Sequence, residues 1–149
     1  MLHLKDCFTM TVDEILHQYD LKNTGCRKFI LAELLQRESA LSEEEIKKPF
    51  PELFDRVTFY RTLKTLEERG IIHRIVLNDN SVKYALNGHH PDQNRLHAHF
   101  HCGKCDEVLC LQGKMRFDAE LPQGFIMNEV FVVVEGVCAG CGAHPVHSD

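Results

Sequence analysis

The sequence predicts a mixed α/β chain: a winged helix-turn-helix over residues 1–87, a hinge at 88–95 and a small α/β domain at 96–149. Three observations carry this expectation. Four capped segments of helical spacing precede Gly70. Directly after Gly70 the apolar period shortens to that of a β-hairpin. Beyond a polar stretch broken by Gly88 and Pro91, strand-like segments alternate with two Cys-x-x-Cys pairs.

The elements follow in order. Thr11-Val12-Asp13-Glu14 is a capping box that opens a first helix with Ile15, Leu16 and Tyr19 as its apolar stripe. Thr24 and Gly25 precede a second helix, in which Phe29, Ile30, Ala32, Leu34 and Leu35 supply the buried positions. Ser42-Glu43-Glu44-Glu45 is another capping box, and the helix it starts must end before Pro49 and Pro51, which cannot donate a backbone hydrogen bond. Asp55 is a suitable N-cap for a fourth helix that runs to about Arg69, with Gly70 at the stop position. Ile71 to Leu77 and Val82 to Leu86 then read as two strands around the turn Asn78-Asp79-Asn80-Ser81. The back half offers strands at Leu96–His101, Glu107–Leu111 and Ile126–Glu135, and a helix near Lys114–Leu121. Val130-Phe131-Val132-Val133-Val134 is apolar on both faces, so it needs cover on both sides, from that helix and from a second subunit.

Composition narrows the function. The chain has 149 residues, 44% of them hydrophobic, enough for packed cores, and no apolar run reaches the ~20 residues that span a bilayer. The N-terminus lacks the layout of a secretory signal, so a cytoplasmic protein without membrane attachment is expected. The net charge of −5 is unevenly spread. Residues 1–86 hold 13 Lys/Arg against 14 Asp/Glu, whereas residues 87–149 hold 4 against 8, so a basic face is feasible only in the front half. Of ten histidines, five fall between His89 and His101, just ahead of the first cysteine pair, a pattern that points to metal.

Cys102-Gly103-Lys104-Cys105 and Cys138-Ala139-Gly140-Cys141 each carry a two-residue spacer with glycine, which lets both sulfurs turn towards one ion. Four thiolates satisfy tetrahedral zinc and leave no open position for catalysis. The expectation is therefore a structural zinc, not an enzyme. A redox dithiol would want one pair at a helix N-terminus, and neither pair is expected to lie there. Cys7, Cys26, His144 and His147 are read as having no role in metal binding.

The fourth helix is the informative one. Phe59, Leu63 and Leu66 form its buried face, and Arg61, Lys64, Thr65 and Glu68 the opposite one, with Arg56, Thr58 and Tyr60 near its start. Arg, Lys, Tyr and Thr suit phosphates and base edges in a major groove, although a solvated helix face has the same composition.

The order of motifs goes further. Thr24-Gly25-Cys26-Arg27, Thr58-Phe59-Tyr60-Arg61-Thr62-Leu63, Leu66-Glu67-Glu68-Arg69-Gly70-Ile71-Ile72, His97-x-His99, Cys102-x-x-Cys105 and Gly136-x-Cys138-x-x-Cys141 together resemble the ferric uptake regulator superfamily, over residues of about 11 to 142. The resemblance implies a homodimeric repressor with an N-terminal winged helix, a C-terminal α/β dimerisation domain and double-stranded operator DNA as partner. It implies DNA contacts by Tyr60 and Arg61, with a backbone contact by Arg27, and a zinc at Cys102, Cys105, Cys138 and Cys141. It also implies a regulatory metal at the hinge. There the chain departs from the iron-type pattern, with Ala40, Ala85, His97, His99 and Cys110 at the ligand positions and with Ala98 and Val130 in a further family site. His73 matches a position that zinc-sensing members fill. The set His73, His97, His99 and Cys110 suits a second zinc and resembles the zinc uptake regulator type. His101 is expected to point to the opposite strand face as a structural or solvated residue, and His89 and His90 are substitute ligands. Alternative readings are an iron- or peroxide-responsive regulator, a zinc-stabilised interaction module that binds no DNA, and a metal hydrolase, for which the sequence offers no base or substrate pocket.

Overall fold

The computed structural model describes residues 10–37, 39–87, 96–111, 118–128 and 130–143. The chain divides into two compact units, Met1–His89 and His90–Asp149.

In the first unit each helix starts on a side chain that satisfies its leading amides. Thr11 and Glu14 close a capping box on α1 (Val12–Gln18), Thr24 caps α2 (Gly25–Gln36), Ser42 and Glu45 close a second box on α3 (Glu43–Lys47), and Asp55 caps α4 (Arg56–Glu68). The apolar stripes of these helices meet in one core in which Leu16, Ile30, Leu31, Ile46, Phe59 and Leu66 are wholly buried. Cys26 lies in the same core, and its thiol pKa is raised by burial, as expected of an inert cysteine.

α4 ends in a Schellman motif. Gly70 adopts φ +71, its amide donates to the Glu67 carbonyl at 2.9 Å, and the Ile71 amide donates to Leu66 at 3.0 Å. Only glycine enters this left-handed region without steric cost, which explains Gly70. The chain therefore runs straight from the helix into β1 (Ile72–Val76), which pairs antiparallel with β2 (Val82–Leu86) in the register Ile72↔Leu86 to Val76↔Val82. Asp79 holds the hairpin turn by accepting from the Ser81 amide and hydroxyl, while Asn80 takes φ +64.

The wing is tied back to α3 at two points. Leu41 and Tyr84 exchange both backbone hydrogen bonds, at 2.9 and 2.7 Å. Beside them Lys83, only 4% exposed at its side chain, reaches the Glu45 carboxylate at 3.3 Å. The same carboxylate receives the Ser42 amide at 2.7 Å.

In the second unit β3 (Leu96–Cys102) is the central strand of the order β4-β3-β5. β4 (Val108–Cys110) pairs antiparallel to it, and β5 (Val130–Gly136) pairs parallel in the register Leu96↔Val130 to Cys102↔Gly136. A short helix, α5 (Ala139–Gly142), follows. Three expectations need correction. The third strand begins at Val130, and residues 126–128 are irregular, with Ile126 85% exposed. Of the helix expected near Lys114–Leu121, residues 112–117 lie outside the described residues and 118–121 are not helical. The second cysteine pair does lie at a helix start, because Cys138 is the N-cap residue of α5.

Glu45 closes the α3 cap and faces the buried Lys83 ammonium, so its removal takes a partner from two polar groups at once. Glu45→Ala is expected to cost about 2 kcal/mol or more in urea denaturation, whereas the exposed Glu44→Ala stays within about 0.5 kcal/mol. Equal effects would contradict the pairing.

Candidate metal centre and reading helix

The four paired cysteines converge within the second unit. At the end of β3 the amide of Cys102 donates to Glu107 at 2.9 Å and that of Asp106 to Cys102 at 2.9 Å, which folds the first pair into a tight knuckle with Asp106 at φ +64. The Gly103 amide donates to Gly136 at 2.9 Å and fastens the knuckle to β5. Gly136 leaves no room for a side chain, since a Cβ there would meet the Phe100 ring at 2.8 Å. β5 then delivers Cys138, whose amide donates to Cys102 Sγ at 3.3 Å, and one turn of α5 brings up Cys141.

The four Sγ atoms all lie within 4.8 Å of one another, with Cys105 and Cys138 at 3.7 Å. Sulfurs bound at ~2.3 Å to a tetrahedral zinc are about 3.8 Å apart, so the donor set fits such an ion. Protonation points the same way. The Cys102 thiol is lowered to about 6, first by the Cys138 amide and then by the Cys105 amide. Cys141 is pushed up to about 12, first by hydrogen bonding with Cys138 and then with Cys105. One thiolate is stabilised by backbone donors, but four crowded sulfurs cannot all ionise without a cation among them.

His101 braces this site; it stands two residues after His99 on the unbroken strand β3 and so shares its face, which corrects the expectation that it points to the opposite one. Its Nδ1 lies 2.9 Å from Glu135 on β5, and its Nε2 lies 2.7 Å from Asp106 in the knuckle. Both acceptors are carboxylates, which favours the imidazolium, the form in which both ring nitrogens donate. Its pKa is raised accordingly, first by Asp106 and then by Glu135. Sequence reasoning set His101 aside as structural or solvated; the carboxylates five residues and one strand away gave no periodic signal.

The remaining metal candidates fall in both units. In the second, His99 is buried and stands opposite Cys110 in the β3–β4 register. Burial pushes the Cys110 thiol up to about 11. His97 lies on β3 two residues before His99, while His89 and His90 fall outside the described residues, as do Cys7, His144 and His147. In the first unit His73 lies on β1, and its Nδ1 is 2.6 Å from Asn87 Oδ1. Asn87 is oriented by its own Nδ2, which donates to the Gly70 carbonyl at 2.7 Å. Nδ1 of His73 is therefore the donor, and Nε2 carries the lone pair that a metal would take. Asn87 was missed because it reads as the first residue after the wing.

On α4 the buried face is Phe59, Leu63 and Leu66, and Arg56, Val57, Thr58, Tyr60, Arg61 and Lys64 are exposed. The Thr58 hydroxyl donates to Asp55 at 2.6 Å, and the Thr65 hydroxyl donates to the helix backbone at 2.9 Å. Lys64 pairs loosely with Glu68 at 3.9 Å. Arg27, at the start of α2, donates from Nη1 to the Lys22 carbonyl at 2.9 Å, which fixes its guanidinium beside the helix start.

The His101 clamp has a defined pH dependence. A raised histidine pKa means stabilisation that is fully present below the unfolded value of 6.5 and fades as pH rises through the folded value. The melting-temperature difference between the metal-loaded parent and His101→Ala is expected to be largest near pH 6 and to shrink towards pH 9. A difference that grows with pH would show the ring to be neutral.

Known proteins can now be compared. A search of curated protein sequences gave no significant match. Among solved structures, holo XcZur superposes with a TM-score of 0.64 at 19% identity, covering 89% of this chain and 97% of that one. A zinc uptake regulator in complex with zinc and DNA gives 0.61 at 23% identity, covering 88% and 90%. The ferric uptake regulator of Vibrio cholerae gives 0.56 at 21%, covering 85% and 98%. These likenesses establish the fold, a winged helix followed by a small α/β unit. The model of the ferric uptake regulator family matches residues 18–118, more than half of the sequence. The chain belongs to the ferric uptake regulator family, and it is a metal-responsive transcription regulator.

Proposed function

We propose that the chain is a zinc-responsive repressor of the zinc uptake regulator type, acting in the cytoplasm, that binds double-stranded operator DNA as a homodimer when its regulatory site is filled. In this reading Cys102, Cys105, Cys138 and Cys141 hold a structural zinc, and His73, His97, His99 and Cys110 hold the regulatory one. Residues 88–95 act as the hinge, and Arg27, Arg56, Thr58, Tyr60, Arg61 and Lys64 contact DNA.

The observation that carries the zinc assignment is the chemistry of the second donor set. Cys110 faces His99 across β3 and β4, where an iron-type site would have a carboxylate. Thiolate and imidazole donors suit zinc, whereas oxygen-rich sets suit harder cations. Burial keeps the Cys110 thiol protonated at neutral pH, so a cation that displaces its proton has a large effect on the local charge. The dimer is supported by the outer side of the second unit. β5 is paired on one side only among the described residues, and Phe131, Val134 and Val137 beside it are exposed, as are Phe125 and Ile126. A second copy would cover this apolar surface. Among the described residues no helix is long and apolar enough to cross a membrane.

The mechanism rests on differential binding. Ligands drawn from both units close on one ion only in part of the arrangements open to the two halves, so metal selects among them. The selected arrangement is the one in which two α4 helices match two half-sites.

The test pairs metal content with DNA affinity, using duplexes selected from a random-sequence pool. Two zinc ions per chain are expected, one of them removable by chelator with a loss of about tenfold or more in affinity. His97→Ala combined with His99→Ala should abolish that metal dependence. A single tightly held ion, or equal restoration by iron or manganese, contradicts the assignment. Asn87→Ala should weaken the removable zinc about 10- to 100-fold while the four-cysteine ion stays in place; unchanged affinity would remove Asn87 from the site.

A further inference from the structure

The exposed face of α4 carries one side chain that neither core packing nor attraction to phosphate explains. Val57 is 57% exposed in the first turn of the helix, although the buried stripe of α4 is Phe59, Leu63 and Leu66. It shares the outward stripe with Tyr60, Arg61 and Lys64, at i+3, i+4 and i+7. A valine here adds nothing to the core, and its β-branch lowers helix propensity. The neighbouring Thr58 is committed to the cap, with its hydroxyl 2.6 Å from Asp55 Oδ2 and its amide 2.9 Å from Oδ1. Arg56 and Val57 are thus the first-turn side chains that project, one cationic and one apolar.

Residues at the N-terminal end of a recognition helix meet base edges. In the major groove those edges offer donors, acceptors and one apolar feature, the 5-methyl group of thymine. We propose that Val57 reads a thymine 5-methyl group in each half-site, making it a specificity-determining residue. This inference rests on the DNA-binding reading of α4 given above. The cations Arg56, Arg61 and Lys64 around it supply the charge complementarity that brings the apolar side chain to the groove floor. A valine in a helix holds almost one χ1 rotamer, so its two methyl groups are presented with little entropy left to lose.

The probe is the set of duplexes that the zinc-loaded full-length protein selects from a random-sequence pool. Each thymine of the selected site is replaced singly by deoxyuridine, which removes the methyl group and keeps every hydrogen-bonding group. At one position per half-site the parent should lose about fourfold in affinity, the effect of burying one methyl group. Val57→Ala, with an unchanged melting temperature, should bind the thymine and uracil duplexes equally at that position while keeping its preferences elsewhere. If no replacement weakens the parent, or if Val57→Ala retains the penalty, the inference is overturned and Val57 is a surface residue only. If the pool yields no enriched duplex, the DNA-binding reading falls and takes this inference with it.

Discussion

Four thiols held within 4.8 Å of one another set the terms for the second unit. Such a cluster is stable with one proton lost and unstable with four, unless a cation sits among the sulfurs. The surrounding structure makes that crowding possible. β3 ends at Cys102, the knuckle returns through Cys105, and β5 brings its chain alongside through the contact of Gly103 with Gly136. Gly136 is a place where any side chain would strike Phe100. His101 adds a charged brace between the same two segments, from Asp106 to Glu135. A three-stranded sheet of this size has little core of its own, and much of its cohesion must come from this corner.

The first unit holds together differently. Its helices are short, and each begins on a cap that removes unsatisfied amides, so that burial of the apolar stripes decides the packing. α3 is only five residues long, yet Glu45 makes it the anchor for the buried Lys83 of the wing. Charge buried in this way contributes little net energy but penalises other registers of the hairpin, because a one-residue slip would turn Lys83 to the other face of β2.

Much of this was legible in the sequence, because it was written in local chemistry. The four N-caps, Gly70 and the hairpin turn each have a residue type whose geometry admits few alternatives, and the Cys-x-x-Cys spacing names its own fold. What was not legible depended on pairs far apart in the chain. The bond of His73 to Asn87 joins positions 14 residues apart, and that of His101 to Glu135 spans 34. Neither follows a helical or strand period. The start of β5 was misjudged because Ile126 and Met127 are apolar enough to extend the run, although Ile126 is almost fully exposed. The helix at Cys138 was missed because four residues are too few to show a period.

The junction at Gly70 has a mechanical meaning. The last turn of α4 is locked to Ile71, and Asn87, at the far end of β2, returns to the same point by donating its side-chain amide to Gly70 and its backbone amide to Ile71 at 2.9 Å. Helix and wing are therefore fastened at one pivot, with His73 attached to it through Asn87. In the regulatory reading, a metal that pulls on that imidazole would act on α4 through this pivot. The wing would then be the short arm of a lever whose long arm is the 13-residue helix that carries Tyr60 and Arg61.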